Sequence, residues 1–213
     1  MPREDYEHFL AIYPTDNTAH YKLTIFRDES SVHHFAKLTD TNTLVHETYL
    51  NPRYTTGLWI DIFPIDKVAP GASLSNTIMK MKWLFCLWEL SVSNPNEAAT
   101  KPALALKTIL RPFAAKLNPY KLSKQMDDIL ISLNETVSND STSFGWVCLD
   151  NPKAYAGTFP DRDLFPAQPM KFEGHEFPVP HDIDANLTEC YGDWRQLPPE
   201  SERIPHFTEA FYR

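Results

Sequence analysis

The sequence is short of glycine, of cysteine and of positive charge, and it has no long apolar run. Six glycines against eighteen prolines in 213 residues predict stiff, extended connections, and no internal repeat is visible. Cys86, Cys148 and Cys190 lie far apart with no C-x-x-C pair. This spacing argues against a disulfide framework or a zinc ribbon, and the three are read as reduced, buried thiols. A formal charge of −8 and a pI near 5.4 argue against nucleic acid as the main partner. The start of the chain shows no charged segment leading into an apolar one, and no stretch of about eighteen apolar residues occurs, so a signal peptide and a spanning helix are not read. A cytoplasmic location is the expectation. What is present, 42% hydrophobic and 13% aromatic residues, is enough to bury a core in one domain or one domain with a sizeable insertion.

The most informative stretch is residues 57–66, Gly-Leu-Trp-Ile-Asp-Ile-Phe-Pro-Ile-Asp. Leu58, Ile60, Ile62 and Ile65 with Trp59 and Phe63 read as a strand buried on both faces, yet Asp61 sits in its middle. An ionised carboxylate there must be paired, hydrogen-bonded or bound to a cation. Two readings follow: a strand-end carboxylate bonded to solvent or nearby N–H groups, or part of a metal or phosphate-transfer site.

Around this stretch the pattern is mixed. Pro2, Glu4, Asp5 and the spacing of Tyr6, Phe9, Leu10 and Tyr13 predict a short amphipathic helix ending before Pro14. A helix starting almost at residue 1 hints that something precedes it. Strands are predicted over 21–26, 32–38 and 43–49. Lys37, among apolar neighbours, reads as an edge residue snorkelling outward or as a phosphate-binding point charge, and composition favours the edge. His33 and His34 read as a solvated pair at a strand end.

Beyond Pro70, helices are predicted from an N-cap at Ser73 through Leu90, over 103–117, and over 122–137. Residues 80–124 carry Lys80, Lys82, Lys101, Lys107, Arg111, Lys116, Lys121 and Lys124 against Glu89 and Glu97, plus six in an acidic chain. Such a segment is either the solvated face of a helical hairpin or a peripheral contact with an anionic membrane surface. A buried strand over 144–149, a loop over 150–160 and a hairpin turning at Gly174 follow, then a short helix capped by Asp182 and closed by Gly192. His175, His181, His206 and Cys190 match no standard metal-ligand spacing.

Four blocks together resemble the LicD family, which includes bacterial phosphorylcholine transferases and is related to the fukutin-type polyol-phosphate transferases. They are residues 1–10, Met-Pro-Arg-Glu-Asp-Tyr-Glu-His-Phe-Leu; 35–43, Phe-Ala-Lys-Leu-Thr-Asp-Thr-Asn-Thr; 57–66; and 191–200, with Tyr-Gly-Asp-Trp and Leu-Pro-Pro-Glu. The resemblance implies an α+β, nucleotidyltransferase-like fold: a mixed sheet with flanking helices, a single domain over 1–213 with its core in 1–70 and 139–213 and a helical insertion over 71–138. It implies transfer of phosphocholine or a polyol phosphate from a cytidine-diphosphate carrier to a sugar of a cell-surface glycan. By the same resemblance Asp61 is the catalytic and metal-binding carboxylate, Lys37 becomes a phosphate contact, and Asp66 and Asp193 join the substrate-binding set, with Mg²⁺ or Mn²⁺ as cofactor. Carboxylates holding a dication against a diphosphate are what such chemistry needs.

The sequence departs from the family in one respect. The glycine turn and acidic cluster that the family places just before Met-Pro-Arg are not in it, so one or more first strands are expected to be missing and the chain is expected to be inactive alone. An exposed sheet edge, with poor solubility or pairing with another chain, is the corresponding expectation. A remnant that binds glycan or nucleotide without catalysis, or serves as a structural partner, is the alternative.

Overall fold

A computed structural model describes residues 1–13, 20–47, 50–71, 73–96, 98, 100–135, 137, 143–149, 154–200, 203 and 209–213. Pro14, Tyr49, Glu97 and His206 lie outside these residues, as does the side chain of Cys148. The elements are α1 (Arg3–Ile12), β1 (Tyr21–Thr24), β2 (Ala36–Asp40), β3 (Thr43–His46), β4 (Trp59–Ile62), β5 (Asp66–Lys67), α2 (Ser75–Val92), α3 (Lys101–Ala114) and α4 (Pro119–Glu135), then β6 (Ser143–Leu149), β7 (Ala154–Pro160), α5 (Asp161–Leu164), β8 (Gln168–Phe172), β9 (His175–Val179), α6 (Ile183–Tyr191) and β10 (Glu209–Tyr212). The α+β class holds.

The mixed sheet does not. Among the described residues the strands form four small sheets, β1-β2-β4, β10-β3, β5-β6-β7 and β8-β9, and every ladder is antiparallel. The parallel contact is a single bridge between Pro2 and Ile65, where Ile65 N–H donates to Met1 O and Arg3 N–H to Ile65 O. The run 57–66 is therefore not one strand. It leaves the first sheet after Ile62, crosses Pro64, which has no N–H to donate, and enters another sheet at Asp66. Nor is it buried on both faces: β4 is an edge strand, and Ile60 is 67% exposed because the cluster of Tyr6, Leu23, Ile25, Phe26 and Ala36 reaches only as far as Ile62.

Glycine matters most where β4 begins. A Cβ on Gly57 would lie inside the carbonyl oxygen of Asp40, because Asp40 N–H bonds Leu58 O across the same close approach. The segment read as loop over 150–160 contains a strand, β7, paired with β6. Its Ala-Gly-Thr sequence gives little local strand signal, but Trp146 stands opposite Gly157, whose missing side chain leaves room for the indole. The hairpin is as read: Glu173 and Gly174 both take positive φ, 48° and 81°, as a two-residue hairpin turn requires.

The main core joins α2 and α4 through Met81, Trp88, Val92, Leu122, Met126 and Leu130 to Val32, Leu50, Val68 and Val147. Two hydrogen bonds from these helices fix the loop before β2. Trp88 Nε1 donates to Val32 O, and Ser123 Oγ donates to the same carbonyl. Two of the thiols depart from expectation, Cys86 being exposed and Cys190 half-buried, since each lies on the outer part of its helix.

Candidate functional site

The β1-β2-β4 sheet has two unlike faces. Alternation along β2 puts Ala36 toward α1 and Lys37 and Thr39 on the opposite side, with Thr24 beside Lys37 on β1 and Asp61 beside it on β4. Lys37 therefore stands on the central strand and is 4% exposed, not an edge residue snorkelling outward. The edge reading fails because it treated the lysine as marking the sheet's border, whereas β4 forms that border.

Burying an ammonium demands partners. Lys37 Nζ lies 3.5 Å from Asp61 Oδ1 and 4.2 Å from the centroid of the Trp59 ring, in cation–π geometry, with the Phe35 ring 5.7 Å away. Lys37 and Asp61 are direct cross-strand neighbours, so the pleat itself sets their meeting. The partner that Asp61 needed is thus supplied by β2. Among the described residues its carboxylate meets only Lys37, and its side chain is one-third exposed.

Lys37 also lines a cleft of about 110 Å³ with Ser31, His33, Glu47, Arg53, Thr55 and Thr56. Arg53 belongs to a short turn, Pro52–Tyr54, capped by the Asn51 side chain, and its guanidinium stacks on Tyr54 at 4.5 Å. His33 Nδ1 is sealed from solvent with no hydrogen-bond partner. Burial, then the charge of Lys37, holds the His33 imidazole neutral, well below its usual range. His34 is buried too, and burial together with Arg3 lowers it to about 4. The two are not a solvated pair: the Trp88 and Ser123 bonds to Val32 draw their backbone against the core.

The structure separates the other site candidates from this cleft. Asp66 is 1% exposed, and Arg3 grips both of its oxygens at 2.8 Å while Asn134 donates to one. Arg3 continues to Asp127, which also meets Arg27, and Arg27 holds Glu7. Burial opposes the charge on Arg3, but the hydrogen bonds and charges of Asp66 and Asp127 more than offset it and push its pKa up. Asp193 lies in the exposed turn after α6, where its carbonyl accepts Gln196 N–H. It shares no hydrogen bond or ion pair with Lys37, Asp61 or Asp66 among the described residues.

A dication does not fit what is described. No three His, Cys, Asp or Glu side chains among the described residues gather to hold a metal, and Asp61 already faces an ammonium that repels one. Sequence reasoning missed Arg53, Thr55, Thr56 and the inward His33. The available signal was the polar run Asn-Pro-Arg-Tyr-Thr-Thr leading into Gly57, a cation and two hydroxyls delivered to the start of a strand. The cleft sets Lys37 and Arg53 against Glu29 and Glu47, with hydroxyls and a neutral imidazole between them, a polar lining of balanced charge.

The whole chain aligns at 23% identity over 214 residues with the lipopolysaccharide cholinephosphotransferase LicD of Haemophilus influenzae, spanning 78% of that relative. No family model matches the chain, and no solved structure matches it.

Proposed function

We propose that the chain is a LicD-type transferase: it binds a cytidine-diphosphate-linked phospho-alcohol, phosphocholine or a polyol phosphate, and transfers it to a sugar hydroxyl of a cell-surface glycan. The observation that carries the proposal is the alignment over the entire chain. The Lys37 cleft supplies two cations and several hydroxyls for such a donor, beside the Glu29 and Glu47 carboxylates.

In this reading the acceptor oxygen attacks the phosphorus that bears the alcohol, and the bond from that phosphorus to the bridging oxygen breaks. Cytidine monophosphate leaves with the electron pair. The acceptor proton passes to the Asp61 carboxylate, which stands 3.5 Å from Lys37, beside rather than in the cleft lining, and is one-third exposed. Neutralising Asp61 weakens its attraction for Lys37 as negative charge builds on the leaving phosphate. Arg53, Thr55 and Thr56 orient the donor. A nucleotidyltransferase-like ancestry belongs to the same proposal. No step is routed through a metal, because the described residues do not form a site for one.

A second reading is binding without transfer. It is favoured by the absence, among the described residues, of three His, Cys, Asp or Glu side chains gathered to hold a dication, where a dication-assisted transferase needs several. Calorimetric titration with CDP-choline, with and without Mg²⁺, joined to an assay of CMP release with a glycan acceptor, separates the two. Binding that Lys37→Met abolishes, with CMP release, supports transfer; the same binding without release supports the second reading. Binding indifferent to Lys37→Met and Arg53→Gln would remove the cleft from either account.

A further inference from the structure

Helices α2 and α3 pack together, and each leaves an apolar stripe uncovered. On α2 it is Met79, Trp83 and Leu87, spaced by four; on α3 it is Leu106, Ile109 and Phe113, spaced by three and four. Trp83 is 73% exposed, Ile109 68% and Phe113 66%, well beyond ordinary scattered surface apolars. Lys80, Lys82, Lys101, Arg111 and Lys121, on the same two helices and the start of α4, and Lys116, in the turn after α3, are all exposed. α3 contains no acidic residue.

We infer that this helical face docks on the surface of an anionic lipid bilayer, with the aromatic and aliphatic stripes in the acyl boundary and the basic residues at the headgroups. Charge complementarity selects that occupant. Residues 80–124 carry plus six within a chain of −8, so an isologous contact with a second copy would press like charges together, whereas an anionic bilayer neutralises them. No helix among the described residues is long and apolar enough to cross a membrane, so the contact is interfacial rather than spanning. An exposed tryptophan between lysines is the side chain that best spans the boundary of lipid and water. Lys107 and Lys124 contribute less, since Lys107 donates to the Asn94 carbonyl and Lys124 pairs with Asp128. The inference is independent of the transferase reading.

The test is co-sedimentation of the full chain with vesicles of phosphatidylcholine alone and with one-third phosphatidylglycerol, alongside its tryptophan emission, to which five tryptophans contribute, compared with that of Trp83→Ser. Partition to the anionic vesicles, a blue shift, and release by 0.5 M NaCl are expected. Each Lys→Gln or Arg→Gln change at 101, 111 and 116 lowers partition about fivefold, the factor set by about 1 kcal/mol per basic residue near the surface. Trp83→Ser with Ile109→Ser lowers it by more than about tenfold, as burial of each large side chain is lost. Circular dichroism and melting unchanged in these exposed variants keep the comparison valid. Equal partition to both vesicle types, no partition, or a dimer that the serine changes dissolve while vesicles stay unbound would overturn the inference; the last outcome would assign the face to self-association.

Discussion

Asp61 and Asp66 belong to one stretch of sequence, but their surroundings are opposite. Asp66 is sealed in a network in which Arg3, Asn134, Asp127, Arg27 and Glu7 satisfy one another. Asp61 has a single lysine at 3.5 Å and an open side toward solvent. A carboxylate whose hydrogen-bonding capacity is filled by protein has nothing to give a substrate, and its work is to hold elements together. Here Arg3 of α1, Asp66 of β5 and Asp127 of α4 lock three elements at one point. The Lys37–Asp61 pair differs from that network in leaving the carboxylate one-third exposed.

The largest test of this contrast is Arg3→Met. Removing the guanidinium leaves Asp66 and Asp127 buried without their cation, and a loss of about 3–5 kcal/mol is expected in urea denaturation. That is a large share of the stability of a domain, about 5–15 kcal/mol, so the variant unfolds readily. A loss below 1 kcal/mol would mean that the network is not the structural half of the comparison.

Next in size is acid. The folded His34 has its pKa lowered to about 4, against about 6.5 unfolded, so below pH 6.5 the unfolded chain takes up a proton that the folded one refuses. Stability is full above pH 6.5 and falls by about 3 kcal/mol as pH drops toward 4, with His33 adding in the same direction. Glu7, lowered by its hydrogen bond from Arg27, adds its own loss only below the ordinary carboxylate range. Denaturation midpoints that stay level from pH 7 to 4.5 would contradict the burial of the pair, and His34→Leu should flatten the slope.

Local signals in the sequence carried much of this fold. The α1 start, the Gly174 turn and the Asp182 cap were legible because each depends on neighbours a few residues away. Lys37 was misread for the opposite reason: whether β2 is central or peripheral depends on its pairing with both β1 and β4, which no local pattern states. The same holds for β7, whose glycine and alanines are explained only by Trp146 across the ladder, and for β10, which joins β3 from the far end of the chain. Asp66 entered the substrate-binding set by resemblance alone; its cation, Arg3, was visible in the sequence, but no local pattern pairs two residues 63 positions apart.

A smaller effect on stability is expected from Lys37→Met. The stem is apolar and replaceable, the cation–π contact with Trp59 is lost, and the released Asp61 can turn to solvent, so the change stays near 1 kcal/mol. Donor binding, by contrast, should disappear.

The smallest is Asp61→Asn, and it is the sharpest. The amide keeps the shape and a dipole for Lys37, and the pair is partly exposed, so unfolding should move by less than about 1 kcal/mol. Turnover should respond quite differently, because an amide takes no proton from the acceptor hydroxyl: a fall of about 10²-fold in CMP release at unchanged donor affinity is expected. Asn in place of Asp66 would do the reverse, weakening the fold through Arg3 while sparing donor affinity per folded molecule. If Asp61→Asn instead cost as much stability as Arg3→Met, the carboxylate's open side would be incidental and the division of labour between the two aspartates would collapse.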